Sequence, residues 1–565
     1  MKLVGALFSQ RTAVNVTGHN IANVNTPGFS RQRAVLAPAN SINFPSGWVG
    51  TGVTVDTIQR VYDRFLAAQI TTQTQAKGKA EAENDILDQV QSIFNETSGP
   101  GLNQALSDFW NAWKTVSTNP TGAAERSGLV AKTATLTQFI RDAESQLNAV
   151  QTGINDTIRG TVDQVNLLTR EIANLNQTIQ QAEGGGQQPA NDLRDKQQLL
   201  VDQLAEVLPV QTFQQADGQL GLQLSGGKPL VNGTSSWELA AAQSGTTVRV
   251  QWLDSTKTPV DITDQLSQSK LGGFIEARDS LMANYRGRLD TLAAGLINAV
   301  NSLHSSGIGL APFTSLMGTN AISDPSAPLA SSAAGLPFES NIVNGSFQVF
   351  AYDSSGAVSG SRTVTIDPAT MSLADVATAL SAIPGVSGAV DPTKGILTIS
   401  GSGGHTFALG ADTSNVLAAL GLNTFFTGSG AHDIAVNPLV QGDPDYLAAA
   451  QLESDGTYAA GDNRNALAIS AVQTTPLNLA GASRTIDDFY GALLGQIGAD
   501  AQQAEQGVTQ QDAVLEQLTN RRDAISGVSI DEEMTNLIKF QQAYTAAAKL
   551  ITQVDDMMRA VIEMV

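Results

Sequence analysis

Residues 537–565 read LIKFQQAYTAAAKLITQVDDMMRAVIEMV. Within them Leu537, Phe540, Tyr544, Ala547, Ile551, Val554, Met558, Val561 and Val565 follow one another at alternating intervals of three and four. Such intervals keep one helix face apolar and allow knobs-into-holes packing. A helix with such a seam needs a partner to be stable, because its own hydrogen bonds barely offset the cost of ordering it. Ser529 stands at the N-cap of this helix, and Glu532 three residues later predicts a capping box.

A partner is available at the opposite end of the chain. Leu3, Leu7, Val14, Ile21 and Val24 place apolar side chains on one face of a helix over residues 3–24. Asn25-Thr26-Pro27-Gly28 should stop it. Pro27 drives Thr26 out of the helical region, and Gly28 can take the positive φ of a type II turn. His19, Asn20 and Asn23 read as polar groups that satisfy a crowded helix end, and Phe29 to Arg33, with Arg31, begin a connector. Residues 29–55 predict loop and a small hairpin, with 51–55 extended. The two ends are therefore expected to pair as coiled helices and to offer surplus apolar surface to copies of the same or related chains. A bundle that closes a monomer is the plainer alternative.

Between the ends, helices are expected over 58–96, along the stripe Leu102, Leu106, Phe109, Trp110 and Trp113, over a long tract at 123–182, and over 192–207 with Asn191 as its cap. Near 208 the period changes to two, as in Gln219-Leu220-Gly221-Leu222-Gln223-Leu224 and Thr247-Val248-Arg249-Val250-Gln251-Trp252, which predicts antiparallel sheet. Helix returns over 272–303 and again past 438. Strands fall at 347–350, 363–366 and 396–399, with a short helix at 372–380. The expected fold class is multidomain α+β: a discontinuous helical bundle or coiled coil formed by both termini, with β-rich outer domains inserted between them. The domains read as 1–57 with 528–565 (terminal helices and connector), 58–207 with 270–306 and 438–527 (helical bundle), and 208–269 with 307–437 (β-rich).

Composition narrows the function. The chain has 565 residues, 32 basic against 53 acidic side chains and a formal charge of -21, which argues against a general nucleic-acid binder. It contains no cysteine, so disulfides and thiolate sites are excluded. Gln10 and Arg11 interrupt the first apolar run before it reaches signal-peptide form, and no stretch approaches the length of a membrane span. Neither a cleaved signal peptide nor membrane insertion is expected.

No catalytic, cofactor or metal site is expected either. His19, His304, His405 and His432 lie far apart and outside metal-binding spacings. Asp487-Asp488, Glu532-Glu533 and Asp555-Asp556 are neighbours that do not face one another on a helix, so they read as solvated surface. The glycine runs at 184–186 and 400–404 lack a phosphate loop's Lys-Ser/Thr. A rival reading places an enzyme or a glycan-binding adhesin in the insert at 210–430, where only His304 and His405 offer a neutral-pH base.

Gly18-His19-Asn20-Ile21-Ala22-Asn23-Val24-Asn25-Thr26-Pro27-Gly28-Phe29-Ser30-Arg31 resembles the amino-terminal signature of the bacterial flagellar rod, hook and hook-associated proteins. Asn191-Asp192-Leu193-Arg194-Asp195-Lys196-Gln197, Gly461-Asp462-Asn463-Arg464-Asn465-Ala466-Leu467 and Ser526-Gly527-Val528-Ser529-Ile530-Asp531-Glu532-Glu533 are similar to further segments of that family. The resemblance implies a structural protein of the hook-filament junction that self-assembles into a helical ring and is exported unfolded by the flagellar type III apparatus. It further implies contacts with the hook protein and a second junction protein, and an export chaperone on the carboxyl-terminal helix.

Overall fold

The computed structural model describes residues 2–564 apart from 46, 97–100, 185–187 and 216–217, and the side chains of 2, 3 and 44 are likewise outside the description. The Leu3 side chain and Val565 therefore lie outside the described residues. The helices in chain order are α1 (Lys2–Ala22), α2 (Arg64–Ile93), α3 (Leu102–Thr118), α4 (Ala123–Glu183), α5 (Asn191–Val207), α6 (Lys270–Glu276), α7 (Ala283–His304), α8 (Leu373–Ser381), the short α9 (Val416–Ala419) and α10 (Pro438–Gly442), α11 (Arg464–Ala471), α12 (Ile486–Ser526) and α13 (Ile530–Glu563). The chain divides into two compact units: residues 1–87, 152–279 and 501–565, and residues 88–151 and 280–500.

In the first unit α1 packs along α13 and against a long antiparallel ribbon of β1 (Gln32–Pro38) and β4 (Val53–Arg60), which a small hairpin of β2 (Ile42–Phe44) and β3 (Gly47–Val49) interrupts. The predicted extended segment at 51–55 thus overlaps only the start of β4, which begins at Val53 and runs on to Arg60. Ser9 donates to the Val53 carbonyl at 3.2 Å, and a Cβ at Gly5 would stand 3.3 Å from the same oxygen. The helix expected from residue 58 starts later, at Arg64, since β4 continues to Arg60.

Helix α4 runs for 61 residues, about 90 Å at the α-helical rise. Its second half buries Ile154, Ile158, Val162, Val165 and Ile172. Three asparagines on this helix clasp strand backbone as a neighbouring strand would. Asn155 donates to Thr246 O and accepts from Val248 N. Asn166 does both with Leu239, and Asn176 with Leu220, donating in addition to Gly233 O. The side-chain amide has the donor and acceptor of a peptide group, so each one pins a strand that would otherwise present unpaired backbone. The strands so held belong to a four-stranded sheet, β5 (Val210–Gln214), β6 (Leu220–Leu224), β7 (Pro229–Asn232) and β8 (Ser235–Ser236), and to a three-stranded sheet, β9 (Leu239–Ser244), β10 (Thr247–Leu253) and β11 (Pro259–Asp261).

Two capping expectations fail. Asn191 is the first residue of α5 rather than its cap; its amide donates to Ile58 O at 2.8 Å, so the ribbon has claimed it. Ser529 is the N-cap of α13 but makes no side-chain cap bond, and Glu532 reaches Arg31 instead of turning back. The helix expected over 272–303 is also interrupted by a π-turn at Ala277–Met282. There Arg278 is buried and donates to Val248 O and Asn155.

The second unit has an aromatic core from α3, with Phe109, Trp110 and Trp113 against Phe425, Phe426 and His304. Arg126 is buried beyond the Asn119-Pro120 stop, and its guanidinium donates to Pro120 O, Pro444 O and Leu447 O. Two three-stranded sheets close a second core around Phe347, Leu373, Leu380, Ile399 and Phe407. Ser372 and Asp375 form a complete capping box on α8.

Candidate assembly site

The site forms where the two ends of the chain meet. Helix α1 stops at Ala22, and Asn23 folds back with its backbone N–H and its side-chain amide both donating to His19 O. Phe29 N then donates to Thr26 O at 3.2 Å across Pro27 and Gly28, and Gly28 has φ +78°. Those are the features of a type II turn. Asn25 and Pro27 are exposed at its tip. The Phe29 ring meets the His19 ring edge-on at 5.4 Å.

Asn20, 1 % exposed, ties the connector to both terminal helices. Its amide donates to Gln32 O at 2.8 Å and to Glu533 Oε2 at 3.0 Å, while its carbonyl accepts from Gln32 N at 2.9 Å. This is the device that α4 uses on its strands. Glu533 is 2 % exposed, and its other oxygen accepts from Arg31 Nε at 2.8 Å. Arg31 NH1 reaches Glu532 at 2.7 Å, and Arg31 N donates to Ser526 O at 2.9 Å. Glu532 is exposed, as a solvated face would have it, whereas Glu533 is buried. A buried carboxylate is tolerated here because a guanidinium and an amide answer both oxygens.

Helix α5 holds the other side of the turn. Asp192 accepts from Gln32 Nε2 at 2.7 Å and pairs with His19 Nε2 at 3.2 Å. Asp195 accepts from Ser30 N and from Arg60; burial nevertheless pushes its carboxyl above the usual range, against those two stabilising partners. Beneath the turn lies a cavity of about 410 Å³, lined by Val24, Phe29, Leu66, Asp202, Arg522 and Val528 among others. Burial raises Asp202 to about 6 there, partly opposed by its bond from Gln198 and the charge of Arg522.

The predicted seam residues have unequal environments. Leu7, Val14 and Ile21 on α1, Val24 in the turn just beyond it, and Leu537, Phe540 and Ile551 on α13 are half-buried, and Ala547 is buried. Tyr544, Val554, Met558 and Val561 are exposed. The most buried face of α1 carries Ser9, Ala13, Val16, Thr17 and Asn20 instead, which a search for large apolar side chains passes over. Asp192 and Asp195 are visible in the sequence only as motif letters, and Glu532 and Glu533 only as a cap partner and a solvated pair. His304 is fully buried: Nδ1 lies 2.7 Å from Asn423 O, and Nε2 accepts from Ala448 N at 3.0 Å. Burial lowers its pKa to about 4, and with both nitrogens engaged it is a structural group rather than a base.

Three family descriptions match the chain. Residues 54–316 match the flagellar hook-associated protein FlgK helical domain, residues 3–29 the flagella basal body rod protein, and residues 523–564 the carboxyl-terminal region of the basal body rod FlgEFG proteins. Flagellar hook-associated protein 1 of Escherichia coli K12 is 27% identical over 97% of this chain and 96% of its own length. The chain belongs to the flagellar hook-associated protein 1 family. The Bacillus subtilis member is 26% identical over 99% of this chain and 96% of its own length. A solved structure, described as the flagellar hook junction protein FlgK from Burkholderia pseudomallei, shares the fold with a TM-score of 0.55 at 16% identity, covering 81% of this chain and 100% of that one. As a hook-associated protein the chain is a structural component of the flagellum. The two terminal family matches end on the site: one contains Asn20 to Phe29 and the other Ser526 to Glu533. No helix among the described residues is long and apolar enough to cross a membrane.

Proposed function

We propose that this chain is a joint between hook and filament, assembling at the hook tip as a helical ring of copies. The observation that carries the reading is the unfinished seam of α13, whose apolar positions continue beyond the reach of α1. The polar corner would set the angle at which the paired termini leave the rest of the subunit. In this arrangement the termini 1–57 and 528–565 form the innermost layer, the helical bundle the next, and the β-rich regions face outward. One side of the ring meets the hook protein and the other a second junction protein. Export is unfolded and without a cleaved signal, through the flagellar type III apparatus, and an export chaperone covers the α13 seam before assembly.

The test is electron microscopy of cells without the protein and of cells whose chain lacks residues 537–565. Hooks without filaments in both cases, with flagellin released to the medium, are expected. Normal filaments on cells without the protein would overturn the reading.

A further inference from the structure

Helices α1 and α13 differ in length, 21 against 34 residues. Asn20 near the end of α1 touches Glu533 near the start of α13, so helices that pack along each other from there run antiparallel. At a common rise, α1 reaches only to about residue 551. Burial ends there too: Ala547 is buried, Ile551 half-buried, and every described residue from 552 onward exposed. Beyond that point α13 overhangs by about 18 Å, with Met557, Val561 and Ile562 exposed by 57, 59 and 70 %. Helix α1 has an exposed stripe of its own on the side away from its buried face. Val4 and Phe8 stand open there, and the Arg11 guanidinium lies over the Phe8 ring at 5.1 Å.

We propose that the overhang of one copy lies on the Val4, Phe8 and Arg11 stripe of α1 in the next copy. The inference rests on the assembly reading above and names the contact within it. Two observations select a second copy as the occupant. First, the overhang continues the seam beyond the end of α1, with Val554, Met558 and Val561 at the same three-and-four spacing, so it requires an apolar helix face, and the exposed Val4 and Phe8 of α1 supply one on every copy. Second, charge is complementary: the overhang carries Asp555, Asp556 and Glu563 against Arg559, whereas α1 has Lys2 and Arg11 and no acidic residue. A different patch meets a different patch, so the contact is heterologous and propagates into a ring or helix instead of stopping at a dimer.

Absence of cysteine makes the test clean. Phe8→Cys and Met558→Cys are combined in the full chain, and flagella sheared from producing cells are oxidised and run without reductant. Within one chain the two positions are about 20 Å apart along the helix pair, far beyond disulfide reach. Multimers are therefore expected from the double variant and monomers from each single one. An incorporated double variant that stays monomeric would assign the overhang to another neighbour and overturn the proposal. As a second measure, Arg11→Asp and Asp555→Arg should each lower incorporation about tenfold and recover most of it together; no recovery, with both chains folded by circular dichroism, counts against the contact. Absence of the unmodified chain from sheared flagella would instead remove the junction reading itself.

Discussion

Asn20 and Glu533 are 513 positions apart in the chain and 3.0 Å apart in the fold. Their bond ties the last turn of α1 to the first turn of α13, and the same carboxylate holds Arg31 of the connector. Three segments are thereby fixed by one buried charge, so the corner is rigid only when all three are present.

Removing the cation should cost more than removing the anion's charge. Arg31→Met leaves Glu533 buried with only an amide to answer it, and a loss of about 3–5 kcal/mol is expected. Glu533→Gln keeps a partner for Asn20 and should cost roughly half as much. Urea titration of both variants measures the difference, and equal midpoints would show that the pair contributes little.

Gly28→Ala tests the turn. With φ at +78°, an alanine there is strained by about 1–2 kcal/mol. A Cβ has room, its nearest neighbour being Leu199 Cβ at 3.5 Å, so any cost is conformational. Faster hydrogen exchange at Phe29 N is the expected local sign.

Asn176→Leu should loosen the sheet it pins. Leu220 N and the Leu220 and Gly233 carbonyls lose their side-chain partner, and about 2–3 kcal/mol is expected from groups left unsatisfied. Increased exchange confined to β6 and the β7–β8 turn would support the assignment. Unchanged exchange would reduce Asn176 to an incidental contact.

Acid should affect the two units with opposite sign. His304 has a folded pKa of about 4 because burial penalises its charged form, against about 6.5 unfolded. Its contribution is complete above about 6.5 and is lost as pH falls toward 4, up to about 3 kcal/mol in the second unit. Asp202, raised to about 6 by burial, holds its proton more tightly folded than unfolded, so it favours the first unit increasingly as pH falls through 6. Asp202→Asn should remove that trend and stabilise the first unit at pH 7. Hydrogen exchange from pH 7 to 4.5, read by segment, separates the two.

Local chemistry made much of this molecule legible. Pro27 and Gly28 specify a turn whatever surrounds them, and the unbroken spacing on α13 demands an apolar partner. The 61 residues of α4 carry no proline, and its internal glycines Gly128, Gly153 and Gly160 are each too isolated to stop it. Period-two runs such as 247–252 became strands for the same reason, since alternation depends on nearest neighbours alone.

Tertiary structure decided which polar groups are buried and therefore which faces matter. Ser9, Thr17 and Asn20, not the leucines, line the most buried face of α1, because a β-ribbon with backbone acceptors lies there. Glu532 left its capping box for Arg31, and Glu533 became a buried charge instead of a wet one. Asn191 exchanged a cap for a strand carbonyl. Burial of a polar side chain is favourable only where a partner waits, and here the partners come from segments up to about five hundred residues away. Periodicity along the chain determined that its ends must pair; the distant hydrogen-bond partners determined how they lock.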